Sequence, residues 1–135
     1  MGFLIKKGSG LQLKEIVTFL DNSEISQLDS NYIAIGTIPA TAKIISIQMS
    51  VNAVVNAFQD FYILSLSQNI AIASFNNSAV QLQANYISHF AIGAYPSLTI
   101  SGYQLKTTND TILISTINQP ITTATQMKVV VSYFE

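Results

Sequence analysis

The chain has 135 residues, enough for one domain that buries roughly two-thirds of the surface its unfolded form exposes, so no disulfide or metal staple is required. It has no cysteine, tryptophan or arginine and a single histidine, His89, which excludes thiol chemistry, thiolate zinc sites and multi-histidine metal centres. Six lysines against seven carboxylates give a net charge of -1, so nothing draws the chain to a phosphate backbone and no nucleic-acid partner is expected.

The charge is also sparse. Charged residues make up 10% of the chain, against about 25% in ordinary soluble domains, and with His89 neutral none lies between Phe61 and Leu105. Isolated monomers keep charge on their surfaces to resist association, so this balance favours a packed oligomer over a monomer with a polar, uncharged surface.

Residues 1–14 stand apart as an N-terminal arm, with Lys6, Lys7 and Lys14 and a flexible Gly8-Ser9-Gly10 joint; residues 15–135 form the domain. The arm reads either as a tether to a neighbouring subunit or as a frayed terminus. Its three-residue apolar run precedes the lysines, the reverse of a secretory signal, so no signal peptide is expected. Lys6 stands where a myristoylation motif wants Ser or Thr. No run approaches the ~20 apolar residues of a membrane helix, and without an export signal a transmembrane β-barrel is a poor second, so no stable membrane insertion is expected.

From Glu15 onward the period is two. Breakers delimit strands at Glu15–Leu20, Tyr32–Gly36, Lys43–Val55, Phe61–Ser67, Ile70–Phe75, Val80–Ile87, Leu98–Leu105 and Thr111–Ile117, with Met127–Phe134 as a ninth. Between the first two, Ser23–Leu28 reads as a single helical turn capped by Ser23. Ile45, Ile47, Met49, Val51, Leu82, Val129 and Val131 alternate with polar residues and are expected in the core. Gly102, where the apolar face switches between Ile100 and Tyr103, marks an expected β-bulge. About eight short strands rich in β-branched residues make an all-β, antiparallel two-sheet β-sandwich, jelly-roll or immunoglobulin-like.

Few residues offer chemistry. His89 would need a nucleophile or an orienting carboxylate within hydrogen-bond reach, and the nearest acids in sequence, Asp60 and Asp110, are far along the chain. A structural histidine, hydrogen-bonded and partly buried, or one at a subunit contact, is the better reading. Asp21, Glu24 and Asp29 cluster without the glycine and spacing of a calcium loop and are read as capping and solvating groups. Ser9 lacks the Gly-x-Ser-x-Gly frame of a nucleophile elbow. Asn76-Asn77-Ser78 and Asn109-Asp110-Thr111 fit the glycosylation triplet but are read as turns. Phe58, Phe61, Tyr62, Phe75, Tyr86, Phe90, Tyr95 and Tyr103 either line a sugar-binding face or, more simply, fill the core. No catalytic residue, no cofactor-binding residue and no metal ligand is therefore assigned, and no enzyme activity is expected.

The run from Glu24 through Ile25-Ser26-Gln27-Leu28, Tyr32-Ile33-Ala34-Ile35-Gly36 and Thr37-Ile38-Pro39-Ala40 to Lys43-Ile44-Ile45 resembles the opening of small jelly-roll proteins of bacteriophage virions. Asn118-Gln119-Pro120-Ile121 followed by Met127–Tyr133 is similar to the closing turn and strand of that group. Thr41-Ala42 and Thr123-Ala124 replace the glycines often found there. The resemblance implies a jelly-roll fold and a non-enzymatic capsid role: a minor capsid, vertex (penton), decoration or head-fibre subunit, located in the virion after synthesis in the host cytoplasm. It implies as partners copies of itself, as a homotrimer or homopentamer, and other capsid proteins. The alternative is a carbohydrate- or receptor-binding β-sandwich, with a glycan or receptor as partner.

Overall fold

A computed structural model describes residues 12–28, 32–40, 42–55, 60–67, 70–76, 83–85, 87–92, 109–117, 121 and 125–135. Among these residues nine strands and one helical turn follow one another: β1 (Leu13–Leu20), α1 (Asn22–Ile25), β2 (Ile33–Ile38), β3 (Lys43–Val51), β4 (Asp60–Ser65), β5 (Ile70–Asn76), β6 (Ser88–His89), β7 (Ala91–Ile92), β8 (Asp110–Ile117) and β9 (Met127–Phe134). They form a four-stranded sheet ordered β1-β9-β3-β6 and a five-stranded sheet ordered β2-β8-β4-β5-β7, all paired antiparallel.

That order has a simple origin. β1 pairs with β9, β2 with β8, β3 with β6, and β4 with β5, so the chain is one long antiparallel ribbon folded near β4 and β5. Rolling the ribbon adds the pairings β3 with β9 and β4 with β8 and places successive ribbon segments in opposite sheets. This is the jelly roll, and the all-β expectation holds. Each sheet turns one face inward, and Ile, Val, Leu and Met side chains from both meet there, with Ile38, Ile47, Ile63 and Ile114 fully buried. Complete burial of such a side chain contributes about 1.5–3 kcal/mol, so this layer is the main source of stability. Phe61 packs against Phe75, and Phe75 against Phe90, with ring centroids 6.4 and 6.1 Å apart and tilted planes. Phe90 lies where the chain leaves β6 in one sheet for β7 in the other, and its N–H donates to the Ile47 carbonyl. Phe61 and Phe90 are thus core residues, as one of the two sequence readings held.

Four expectations need correction. Ile45 is not in the core: it is 41% exposed, because β3 carries a bulge there, Ile44 pairing with Tyr133 and Ser46 with Ser132. The extra residue shifts the phase, so Ile44 is buried before the bulge and Ile47, Met49 and Val51 after it. The helical turn is capped by Asp21 rather than Ser23. Its carboxylate accepts from the Glu24 N–H while the Glu24 carboxylate accepts from the Asp21 N–H, a reciprocal capping box. Leu13 and Lys14, assigned to the arm, belong to β1, and Gln12 exchanges both backbone hydrogen bonds with Glu135. In the segment expected as the strand Val80–Ile87, the described residues Gln83–Asn85 carry only a bridge between Ala84 and Val51, and Asn85 has φ 63°, which ends extended structure. β6 and β7, two residues each, are too short to leave a periodic signal. Leu82, the expected strand Leu98–Leu105 and the expected bulge at Gly102 lie outside the described residues.

Candidate functional site

Among the described residues the chemically reactive side chains do not converge. His89 sits on β6 opposite Gln48 and is exposed, not partly buried, while Asp60 and Asp110 belong to the other sheet. Asp21 spends its carboxylate on the cap, accepting from the Ser23 hydroxyl at 2.7 Å and the Glu24 N–H at 3.0 Å, and these bonds hold it below the usual carboxylate range. Asp29 lies outside the described residues, as do Ser9, Asn77, Ser78, Phe58, Tyr86, Tyr95 and Tyr103. Among the described residues no group of three or more His, Asp or Glu side chains is placed to hold a metal. Asn109 is exposed just before β8, and its side chain accepts from the Ala40 N–H at 3.2 Å.

Asp110 is the one carboxylate among the described residues buried in the sandwich, 1% exposed at the start of β8. It accepts from the buried Ser65 hydroxyl at the end of β4 and from the Ser67 N–H at 2.9 Å. Together with the Leu66 N–H donating to the Thr111 carbonyl, these bonds tie the β4–β5 turn to β8. The sequence reading placed Asp110 in a turn, and nothing local to the sequence distinguishes a carboxylate that caps a distant turn.

What the described residues do assemble is a surface, the outer face of the four-stranded sheet. Directly paired residues of an antiparallel sheet point to the same side, so the register reads off this face row by row. Leu13, Phe134 and Lys43 form one row; Glu15, Ser132 and Ser46 the next; then Val17, Val130, Gln48 and His89; then Phe19, Lys128 and Ser50. Leu13, Val17 and Phe19 are 59%, 46% and 69% exposed, and Ile87 lies beside the face at 65%. Polar groups are interleaved with them. The Ser132 hydroxyl donates to Glu15 at 3.3 Å, and the Lys128 ammonium stands 5.9 Å over the Phe19 ring. At the end of this face Phe19, Asn85, Gln126 and Lys128 border an open hollow of about 190 Å³. On the opposite side of β1, Lys14 forms an ion pair with Glu135, which raises the lysine's pKa above its ordinary value. The sequence carried one sign of this surface: β1 has apolar residues at both odd and even positions, more than one buried face can take.

Comparison with known proteins bears on the fold. No protein-family model matches the chain, and no curated protein matches it by sequence. Among solved structures, it is similar to a chain of the capsid asymmetric unit of cyanophage Pam1, with a TM-score of 0.64, 9% identity, and coverage of 99% of this chain and 92% of that one. It is also similar to a chain in the capsid of Ralstonia phage GP4, with a TM-score of 0.57, 11% identity, and coverage of 100% and 90%. The jelly roll of this chain therefore occurs, end to end, in chains of two phage capsid assemblies. At such identities the likeness is one of fold.

Proposed function

We propose that the chain is a non-enzymatic structural subunit of a bacteriophage virion. The observation that carries this reading is the span of the structural likeness: nearly all of this chain matches nearly all of a chain from each of two phage capsid structures. A small catalytic domain sharing only a core motif would leave large parts unmatched on one side or the other. The sparse charge and the apolar residues on the outer face of the four-stranded sheet support a role in which surface is covered by neighbours. Within the virion we assign it a minor capsid, vertex or decoration position, as a homotrimer or homopentamer in contact with other capsid proteins. Closed cyclic symmetry lets identical subunits bury shared surface without growing open fibres. The charge-free span Phe61–Leu105 contributes to those contacts; its exposed Leu66 and Ile87 are apolar groups of the kind that interface centres gather.

Two measurements test the proposal. Native mass spectrometry of the purified full chain is expected to give three or five subunits, or a multiple of those. Immunogold electron microscopy of phage particles made in cells expressing the chain is expected to place label on the heads. A salt-independent monomer in dilute solution together with unlabelled particles would overturn the reading.

A further inference from the structure

Sheet edges expose unpaired backbone donors and acceptors, and proteins blunt them with short strands, bulges, prolines or inward charges. Among the described residues, three of the four sheet edges are blunted. β6 and β7 are two residues long, and β2 is interrupted by a bulge between Ala34 and Gly36, with its Ile35 carbonyl covered by the Thr18 hydroxyl. The fourth edge, β1, has eight residues in unbroken register with β9 and contains neither proline nor glycine. Gln12 and Glu135 exchange both backbone hydrogen bonds, which fixes the alternation along the pair. Lys14, Ile16, Thr18 and Leu20 therefore turn their N–H and C=O groups to β9, and Leu13, Glu15, Val17 and Phe19 turn theirs outward. No described residue accepts or donates on that side. The same four residues have exposed side chains, three of them apolar, so the edge offers backbone groups and apolar surface together.

We propose that β1 is a self-pairing edge: it pairs antiparallel with β1 of a second copy across a two-fold axis at Ile16, joining two four-stranded sheets into one of eight strands. The register follows from the sequence of the edge. Pairing about Ile16 sets Leu13 opposite the partner's Phe19, Glu15 opposite the partner's Val17, and Lys14 opposite the partner's Thr18. Seven of the eight residues of β1 then pair within the strand, Leu20 lying opposite the partner's Gln12, and the outward donors and acceptors of Leu13, Glu15, Val17 and Phe19 are satisfied in both copies. Moving the axis one residue towards the N-terminus puts Glu15 opposite its own copy, where like charges repel. Moving it one residue towards the C-terminus sets Glu15 opposite the partner's Phe19 and leaves Leu13 without a partner in the strand. Such a contact is isologous and closes on itself, so it yields a pair rather than a fibre. It stands independently of the virion role, and in a ring of three or five it would join one ring to another.

The register makes the test depend on the sign of a charge. Val17→Glu sets two carboxylates against each other at both ends of the contact, whereas Val17→Lys sets a lysine against the partner's Glu15; the two variants lose the same apolar side chain and are both polar. Sedimentation equilibrium and native mass spectrometry of the full chain should show a wild-type species whose subunit number is halved in Val17→Glu and kept in Val17→Lys. From two like-charged against two oppositely charged cross-strand pairs, the dissociation constants should differ by roughly tenfold or more. Glu15→Lys combined with Val17→Glu should restore the doubled species. A halving from two to one supports the pairing in the absence of a ring, so it is told apart from a failure of the virion reading. The proposal is overturned if the wild-type species has no twofold step, or if the two Val17 variants associate alike.

Discussion

Gly36 is the position where backbone and packing constrain the sequence together. It follows the β2 bulge with φ +154°, a conformation that L side chains rarely adopt, and a Cβ built there lies 2.7 Å from Cγ2 and 3.0 Å from Cδ1 of Ile16 on β1. Gly36→Ala therefore meets two separate penalties. The backbone must hold a sparsely populated conformation, at about 1–3 kcal/mol. The methyl group must displace the Ile16 side chain, which packs against the core, at about 1–3 kcal/mol. Together they remove about 2–6 kcal/mol from a total of the order of 5–15 kcal/mol. Equilibrium urea unfolding of Gly36→Ala, Ile16→Ala and the double variant separates the two. Ile16→Ala deletes the atoms in the clash, so the double variant should be more stable than the sum of the single losses by about 1–3 kcal/mol, leaving the backbone penalty in place. The reasoning fails if Gly36→Ala lies within about 0.5 kcal/mol of the wild type, or if the two substitutions add within that margin.

Asp110→Ala removes the carboxylate that accepts from the buried Ser65 hydroxyl and the Ser67 N–H, and should lower stability by about 2–4 kcal/mol in urea unfolding, with Asp110→Asn losing less because one acceptor is kept. Thr116 Oγ1 is buried without a hydrogen-bond partner, so the near-isosteric Thr116→Val should be neutral or raise stability by up to about 1 kcal/mol, read from the shift of the thermal midpoint. His89 is exposed on β6, so His89→Ala should change stability by less than about 0.5 kcal/mol; a larger loss in the same assay would show a contact the exposure does not suggest. Asp21 titrates below its ordinary value because the ionised form accepts hydrogen bonds from Ser23 and Glu24. Its stabilisation is therefore present above the unfolded-state pKa and lost as pH falls through the folded one. The wild type should lose stability on acidification to a greater extent than Asp21→Asn does, measured by urea unfolding from neutral pH downwards.

The composition and the two-residue period were sufficient to establish an all-β sandwich, since β-branched residues alternating with polar ones can bury a continuous face only as strands. They also located the long strands, because Met127–Phe134 or Thr111–Ile117 carries its pattern within its own residues. Where a position depends on a partner strand, the sequence alone misleads. Ile45 continues the apolar alternation in sequence, yet the β3 bulge opposite Tyr133 and Ser132 turns it outward. Asp110 has the look of a turn residue, but the fold brings the end of β4 to it and buries it. The apolar excess on β1 is written in Leu13, Ile16, Val17, Phe19 and Leu20, while the status of β1 as an edge is decided only by the rolled ribbon, which among the described residues leaves one side of β1 without a neighbouring strand. Local periodicity fixes which residues can share a face; only tertiary pairing fixes which face is covered and which edge is left open.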